Sequence, residues 1–249
     1  MLQSEIPGAA GAGEKRLFSA VALVTGGSRG IGRAIATGLA RLGASVAICG
    51  RDALALSSAH EELVGLGGRV FSTVADVTNH AEVEGLVEKT EAAMGSITIL
   101  VNNAGMGVFG PAHEKSEQDW DRVLNTNLKS VFLVSKAVAP GMIARKSGDI
   151  INISSLAGVN AFAGGGLYCA SKWGVQGLSA CMAEDLRGYG IRVSVVCPGS
   201  VATEFSGRGP KDATKVLSPE DVAHAVEMIV TQGPKSFMSQ VQIRPLSKP

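Results

Sequence analysis

Residues 25–32 read Thr25-Gly26-Gly27-Ser28-Arg29-Gly30-Ile31-Gly32, and this glycine-rich stretch decides the fold. It follows the apolar run 20–24, which is typical of a buried strand, and it precedes apolar residues at helical spacing, namely Ile31, Ile35, Leu39 and Leu42. A strand, a glycine-rich turn and a helix form the unit that binds a dinucleotide pyrophosphate. Glycines let the backbone approach the phosphates, and the helix start offers free N–H groups. The alternative is a tight turn without a ligand, because the chain has 32 glycines in 249 residues.

Strand-like and helix-like segments alternate along the rest of the chain without a linker. Apolar, strand-like runs are predicted at 20–24, 45–49, 70–74, 97–101, 150–153, 192–196 and 241–243. Helices are predicted at 30–42, 53–66, 81–94, 118–144, 171–188 and 219–231. Repeated strand–helix units build a parallel sheet covered by helices on both faces. The sequence therefore predicts an α/β fold, a single doubly wound Rossmann-type domain over 17–249, after a flexible tail at 1–16.

The composition narrows the classes of function. A net charge of +1, without a basic stretch of interleaved aromatics, argues against nucleic-acid binding. No apolar run approaches the ~18 residues of a membrane span. The N-terminal segment lacks the basic and apolar regions of a signal peptide, and the four cysteines have no metal-ligand spacing. We therefore expect a cytoplasmic protein with reduced thiols, no metal site and no membrane partner.

A second pattern lies in Gly166-Leu-Tyr-Cys-Ala-Ser-Lys172, where Tyr168 and Lys172 are four residues apart. On a helix this spacing places both side chains on one face, although solvated helices produce such pairs by chance as well. A neighbouring ammonium favours a phenolate, so we expect Lys172 to lower the pKa of Tyr168. Such a tyrosine can pass a proton to or from a reacting oxygen. Ser155, at the end of an apolar strand, can hydrogen-bond the same oxygen, and the three residues together indicate carbonyl/alcohol chemistry.

The residues after the second predicted strand indicate the cofactor. Folds that bind NAD place a carboxylate at this strand's end, where it binds the ribose 2′-OH. Here Gly50 stands at that position, followed by Arg51 and Asp52. Arg29 and Arg51 can both donate charge-assisted hydrogen bonds to a 2′-phosphate, which predicts NADP(H). Asp52 is expected to cap the next helix, and the alternative for the two arginines is that they are ordinary surface charges.

An ordered set of motifs resembles the short-chain dehydrogenase/reductase family from about Ala20 to the C-terminus. The motifs are residues 25–32, Asn102-Asn-Ala-Gly105, Asn127, Ser155, Tyr168-x-x-x-Lys172 and Pro198-Gly199. The resemblance implies a seven-stranded sheet and an NADP(H)-dependent oxidoreductase that transfers a hydride between nicotinamide and a carbonyl or secondary alcohol. It implies that Tyr168 is the general acid/base, that Ser155 holds the oxygen and that Lys172 also grips the nicotinamide ribose. Asn127 would hold a proton-relaying water against Lys172.

The resemblance also assigns the cofactor contacts. They are Gly26, Ser28, Arg29, Gly30, Ile31, Gly32, Arg51, Asp76, Val77, Asn103, Ala104, Gly105, Tyr168, Lys172, Pro198, Gly199, Val201 and Thr203. Two of these assignments have structural alternatives. Asp76 could be a turn or helix-cap aspartate, and segment 102–105 could serve mainly to stabilise the central sheet.

The substrate and the partners stay open at this point. The ending Val241-Gln-Ile-Arg-Pro-Leu246 resembles reductases of small hydroxy acids, aldehydes or ketones more than 3-oxoacyl-carrier-protein reductases, and a carrier protein would need a basic rim. Segments 159–166 and 200–217 are expected to shape the pocket. A competing interpretation is a non-catalytic NADP-binding regulatory protein on the same fold. Helices 118–144 and 171–188 are apolar around much of their circumference, which predicts a homodimer or homotetramer.

Overall fold

A single parallel sheet of seven strands forms the centre of the computed structural model, which describes residues 17–206, 212 and 214–247. The strands are β1 (Val21–Thr25), β2 (Ser45–Gly50), β3 (Val70–Val74), β4 (Ile99–Asn102), β5 (Gly148–Ile153), β6 (Ile191–Pro198) and β7 (Gln240–Ile243). Their order across the sheet is β3-β2-β1-β4-β5-β6-β7, and all neighbours pair in parallel. The predicted seven-stranded Rossmann-type sheet is confirmed.

Seven α-helices of the described residues cover both faces of the sheet. They are α1 (Gly30–Arg41), α2 (Ala53–Val64), α3 (His80–Met94), α4 (Glu117–Leu124), α5 (Ser130–Arg145), α6 (Gly166–Arg187) and α7 (Pro219–Val230). Side chains alternate along each strand, so Ala22 and Val24 join one buried cluster while Val21 and Leu23 join the other. The first cluster includes residues of α1, α2 and α7, and the second includes residues of α3, α5 and α6. This is the doubly wound arrangement.

The strand order reverses direction at β1, and this reversal positions the site. β1 lies between β2 and β4, so the connections after β1 and β4 lead away from each other. The crevice that results at the carboxyl ends of the strands is where doubly wound folds bind nucleotides. Buried amides fix the neighbouring strands, because Asn102 Nδ2 donates to Asn152 Oδ1 at 2.8 Å and to Ser135 Oγ at 3.0 Å.

Two helices differ from their predicted bounds by more than two residues or are interrupted, and both differences affect the site. The helix predicted at 118–144 is interrupted between α4 and α5 by a π-helical turn at Asn125–Lys129, a rare irregularity that is frequent at functional sites. The helix predicted to begin at 171 begins at Gly166, so Tyr168 and Lys172 both lie in its first two turns. At the sheet, β4 begins at Ile99 rather than at residue 97.

Some expectations fall outside the described part of the chain. The tail at 1–16 lies outside it, as do residues 207–211 and 213 of the pocket segment 200–217. Among the described helices, none combines the length and the apolar character that crossing a membrane requires.

Candidate active site

The turn after β1 has the geometry of a phosphate cradle. Gly26 and Gly30 adopt the left-handed backbone conformation, with φ of 64° and 54°. A Cβ on Gly32 would overlap the Gly26 carbonyl oxygen and the Asn103 amide nitrogen, so only glycine fits there. In α1, which is described throughout, the first turn has no acidic residue and Arg29 at the N-cap makes no side-chain cap hydrogen bond. The free N–H groups of this helix start therefore suit the pyrophosphate of a dinucleotide.

The segment after β4 is fastened to this turn. Asn103 Nδ2 donates to the carbonyl oxygens of Thr25 at 3.0 Å and of Gly26 at 3.1 Å. In return, Thr25 Oγ1 accepts from the backbone N–H groups of Asn103 at 3.0 Å and Ala104 at 3.1 Å. These contacts support the structural alternative for segment 102–105. They also hold Ala104 and Gly105 beside the glycine-rich turn, where a cofactor would lie.

The end of β2 combines two arginines with acidic neighbours. A Cβ on Gly50 would lie 3.1 Å from the buried Ser28 hydroxyl, which leaves little room for a side chain. Arg29 pairs with Asp52 and lies 3.9 Å from the Glu204 carboxylate. Its partner Asp52 caps α2, as predicted, by accepting from Ala55 N at 3.1 Å. A 2′-phosphate bound here would compete with these carboxylates for the arginines.

Arg51 and Asp76 lie near each other across the ends of β2 and β3, with 3.9 Å between Nη1 and Oδ2. Asp76 Oδ1 accepts from Thr78 N at 2.9 Å and from Thr78 Oγ1 at 2.8 Å, which is the turn role given as the alternative to an adenine contact. Burial opposes the charged form, but the Thr78 hydrogen bonds and the Arg51 charge hold the pKa of Asp76 below its ordinary value. Val77 is buried beside it.

Ser155, Tyr168 and Lys172 meet at the carboxyl edge of the sheet. Ser155 follows β5 and lies beside the Tyr168 phenol, while its Oγ accepts from Ala157 N at 3.1 Å. Lys172 is buried in α6 and donates from Nζ to Ile153 O at 2.8 Å. The same Nζ lies 5.8 Å from the centroid of the Tyr168 ring. The structure thus brings together the three residues that the sequence grouped.

The pKa values of this trio differ from the expectation. Burial raises the pKa of Tyr168 to about 12, although the Ser155 hydrogen bond opposes the rise. Burial lowers the pKa of Lys172 to about 8. The prediction that the phenol's pKa is lowered overall is wrong for this structure, because burial outweighs the influence of the Lys172 ammonium, which is hydrogen-bonded to Ile153 O. Tyr168 therefore carries its proton at neutral pH, as a proton donor requires.

Asn127 is buried in the π-helical turn, and its side chain hydrogen-bonds the loop after β4. Its Oδ1 accepts from Met106 N at 2.7 Å, and its Nδ2 donates to Met106 O at 2.8 Å and to Ser171 Oγ at 2.9 Å. A Cβ on Gly105 would lie 3.4 Å from Asn127 Oδ1 and 3.7 Å from Lys172 Nζ. Asn127 and Lys172 therefore face the same backbone position.

The segment from Pro198 to Thr203 runs from the end of β6 toward the glycine-rich turn. Gly199 N donates to Ile243 O at 2.8 Å, and the buried Val201 pairs with Leu217 in an isolated bridge. A Cβ on Gly30 would lie 3.3 Å from Thr203 Cγ2. Thr203 therefore lies over the start of α1, beside the half-buried Ile31. The segment therefore lies against the glycine-rich turn.

Sequence reasoning missed the aromatic surroundings of Tyr168. Phe109 and Phe205 lie with their ring centroids 5.5 Å and 5.7 Å from that of Tyr168. They are isolated aromatics in separate loops, so neither periodicity nor spacing could identify them. Elsewhere, the ranges 17–206 and 214–247 with residue 212 contain no group of three or more His, Cys, Asp or Glu side chains that could hold a metal ion.

Comparison with known proteins agrees with this geometry. Residues 20–213 match the family model described as short chain dehydrogenase. The 3-oxoacyl-[acyl-carrier-protein] reductase FabG of Thermotoga maritima is 35% identical over 91% of this chain and 96% of its own length. Glycine betaine reductase ATRR of Emericella nidulans is 36% identical over 94% of this chain, which spans 19% of that longer protein. The crystal structure of a metagenomic short-chain oxidoreductase in complex with NADP has 43% sequence identity and a TM-score of 0.83, covering 92% of this chain and 99% of that one.

Proposed function

This chain belongs to the short-chain dehydrogenase family, and on that premise we propose that it is an NADP(H)-dependent oxidoreductase that interconverts a carbonyl compound and its secondary alcohol. One observation carries the proposal. The Ser155 side chain lies beside the Tyr168 phenol and lowers its pKa, and the Lys172 ammonium lies 5.8 Å from the centroid of the same ring, at the sheet edge that also holds the glycine-rich turn. A proton donor and a dinucleotide cradle thus share one crevice.

Tyr168, Ser155 and Lys172 each have a separate role in carbonyl reduction. Bound NADPH supplies the hydride that the carbonyl carbon accepts. Tyr168 donates its proton to the carbonyl oxygen, and Ser155 orients that oxygen with a hydrogen bond. A proton from solvent then restores the phenol. Lys172 stabilises the phenolate that forms, because a positive charge near it favours the ionised state.

Asn127 and Lys172 provide a path for protons at the base of the site. Asn127 and Lys172 both face Gly105, with 3.4 Å and 3.7 Å to a Cβ built there. This supports the expected relay, in which a water held near Asn127 exchanges protons with Lys172. The fixed position of Asn127 in the π-helical turn would keep that water in place.

The proposed cofactor is NADP(H), held by the residues the sequence singled out. Gly26, Gly30 and Gly32 supply the turn, and Gly50 stands where NAD-binding folds place the carboxylate that binds the ribose 2′-OH. Arg29 and Arg51 are the cations for a 2′-phosphate. The related metagenomic oxidoreductase was solved in complex with NADP, which supports the same choice here.

The proposed substrate is a small-molecule ketone or hydroxy acid, with a 3-oxoacyl thioester as the second candidate because a relative carries that reductase's name. The proposal is tested by following NADPH oxidation with ketones, aldehydes and 3-oxoacyl thioesters, and NADP+ reduction with hydroxy acids. Turnover of any of them supports an enzyme. Tight NADPH binding without turnover across the panel would contradict catalysis and favour the regulatory alternative. Turnover confined to carrier-protein thioesters would contradict the small-molecule assignment.

We also propose that the protein self-associates through α4, α5 and α6. Large apolar side chains stand exposed on these helices, with Trp120, Phe132 and Trp173 between 46% and 52% exposed. A groove lined by Leu124, Leu128, Phe132 and Leu178 runs between them. Exposed apolar surface of this kind typically marks an interface, and two-fold symmetry would give a dimer or a tetramer. Light scattering showing a mass near the 25.5 kDa of one chain would contradict it.

A further inference from the structure

Three phenylalanines form one side of the site, and each comes from a different loop. Phe109 lies in the loop after β4, Phe162 in the loop after β5 and Phe205 in the loop after β6. The Phe109 ring centroid is 5.5 Å from that of Tyr168 at an interplanar angle of 60°, and the Phe205 centroid is 5.7 Å away at 58°. Phe162 continues the group, with 6.3 Å between its centroid and that of Phe109. All three distances lie within the range at which aromatic rings attract one another.

Glycines allow these rings to approach the main chain. A Cβ on Gly107 would lie 2.6 Å from Phe109 Cζ and 3.2 Å from Phe205 Cε1, so both rings rest on its bare backbone. A Cβ on Gly165 would likewise lie 2.6 Å from Phe162 Cζ. The loops after β4 and β5 are joined directly, because Gly110 N donates to Gly164 O at 2.8 Å. The aromatic wall is therefore built into the loops rather than formed by loose side chains.

These rings remain open to solvent although they surround a reacting group. Phe162 is 46% exposed and Phe205 is 42% exposed, while Phe109 is half-buried. Apolar rings that are grouped but not covered by the protein mark a binding surface. Two charged side chains of the described loops have contacts elsewhere. The Glu204 carboxylate lies near Arg29, and the Lys115 ammonium lies against Gly110 at the rim.

We propose that this site, as a refinement of the proposed function, takes a ketone that carries an aryl ring beside its carbonyl group, or the corresponding aryl alcohol. The ring of such a substrate would lie among Phe109, Phe162 and Phe205 while its carbonyl oxygen meets Tyr168 and Ser155. Each aromatic pair raises the binding constant by a factor of roughly two to ten, in addition to the gain from removing the ring from water. Small aliphatic or ionised substrates gain none of these contacts.

The test compares acetophenone, cyclohexyl methyl ketone and 2-butanone as substrates with NADPH. The wild type is expected to show kcat/KM at least about tenfold higher for acetophenone than for 2-butanone. Phe205→Ala and Phe162→Ala should each lower the ratio of kcat/KM for acetophenone to that for 2-butanone about two- to tenfold. Phe205→Leu separates aromatic character from bulk. The matched control is Phe18→Ala, which removes a 79% exposed phenylalanine that precedes β1, at the opposite edge of the sheet.

A binding measurement separates this inference from the proposed catalysis. Ligand-observed NMR with 1-phenylethanol and 2-butanol is expected to show selective binding of the aryl alcohol, weakened in Phe205→Ala and unchanged in Phe18→Ala. Binding without turnover would uphold the aromatic site while contradicting the oxidoreductase proposal. Equal kcat/KM for acetophenone and 2-butanone, with neither Phe→Ala variant altering the ratio, would overturn the aromatic site and leave the oxidoreductase proposal standing. Absence of aryl binding together with absence of turnover across the whole substrate panel would overturn both.

Discussion

Replacing Arg51 by alanine should change the choice of cofactor more than the stability of the fold. Arg51 follows β2, its side chain is 69% exposed, and its closest described ionic neighbour is Asp76 at 3.9 Å. NADPH carries a 2′-phosphate and NADH does not, so an arginine that binds this group contributes to NADPH alone. We expect Arg51→Ala to weaken NADPH binding and to leave NADH binding nearly unchanged.

The expected magnitude follows from the exposure of Arg51. A hydrogen bond to a charged group contributes about 1.5–3 kcal/mol. The contribution of Arg51 to NADPH binding should be at the lower end of this range, about 1.5 kcal/mol, because solvent screens the exposed side chain and Asp76 competes for it. Since about 1.4 kcal/mol corresponds to a factor of ten, the Kd for NADPH should rise about tenfold.

Asp52 gives a variant with the opposite effect. Its carboxylate pairs with Arg29 and also caps α2 through Ala55 N. Asparagine caps a helix about as well as aspartate but carries no charge. Asp52→Asn should therefore keep α2 intact, free Arg29 for the 2′-phosphate and lower the Kd for NADPH severalfold, with no gain for NADH.

Isothermal titration calorimetry at one fixed ionic strength measures both cofactors on all variants. Arg187→Ala is the matched control, because Arg187 is 63% exposed and paired with Glu184 at the far end of α6. Two results would refute the reasoning. One is a wild type that prefers NADH, and the other is an Arg51→Ala variant that loses affinity for both cofactors equally.

Three further predictions concern the turn and the buried lysine. Gly32→Ala places a Cβ against the Gly26 carbonyl oxygen and should lower the free energy of unfolding by about 1–3 kcal/mol. Urea denaturation measures this change, and an unchanged free energy of unfolding would contradict the tight turn. Folding lowers the pKa of Lys172 from 10.5 to about 8, so between these pH values the unfolded chain binds more protons than the folded chain. The free energy of unfolding of the wild type, relative to that of Lys172→Met, should therefore rise by about 3 kcal/mol across that pH window. A difference that does not change with pH would contradict the shift. Lys172 loses its charge as the pH rises through about 8, while Tyr168 stays protonated up to about 12. The value of kcat/KM for carbonyl reduction should therefore fall above about pH 8. A pH profile that stays flat to pH 10 would exclude a role for the lysine's charge.

Much of the fold could be predicted because its signals are local. The glycine-rich turn at 25–32 lies between a buried strand and an amphipathic helix, and the capped start of α7 at Ser218 and Pro219 has the expected capping box. Most predicted strands agree with the structure within two residues, since each is a short apolar run. The spacing of Tyr168 and Lys172 correctly indicated one helix face, although the predicted helix began only at residue 171.

The remaining features depend on contacts between distant segments. Three consecutive glycines at 164–166 disfavour a helix start, yet the bond from Gly110 N to Gly164 O fixes this loop and α6 begins at Gly166. The π-helical turn holds Asn127 against Met106, a contact that periodicity cannot reveal. The pKa of Tyr168 depends on burial by other loops, and a pairwise argument from Lys172 therefore gave the wrong direction.

Tyr168→Phe tests the central claim most directly. The substitution removes only the hydroxyl group, so the ring keeps its contacts with Phe109 and Phe205. We expect kcat/KM for the best carbonyl substrate to fall by at least about 10²–10⁴-fold, the usual contribution of a general acid, while the Kd for NADPH changes little. A Tyr168→Phe protein that binds NADPH normally and reduces the same substrate at a near-normal rate would contradict it.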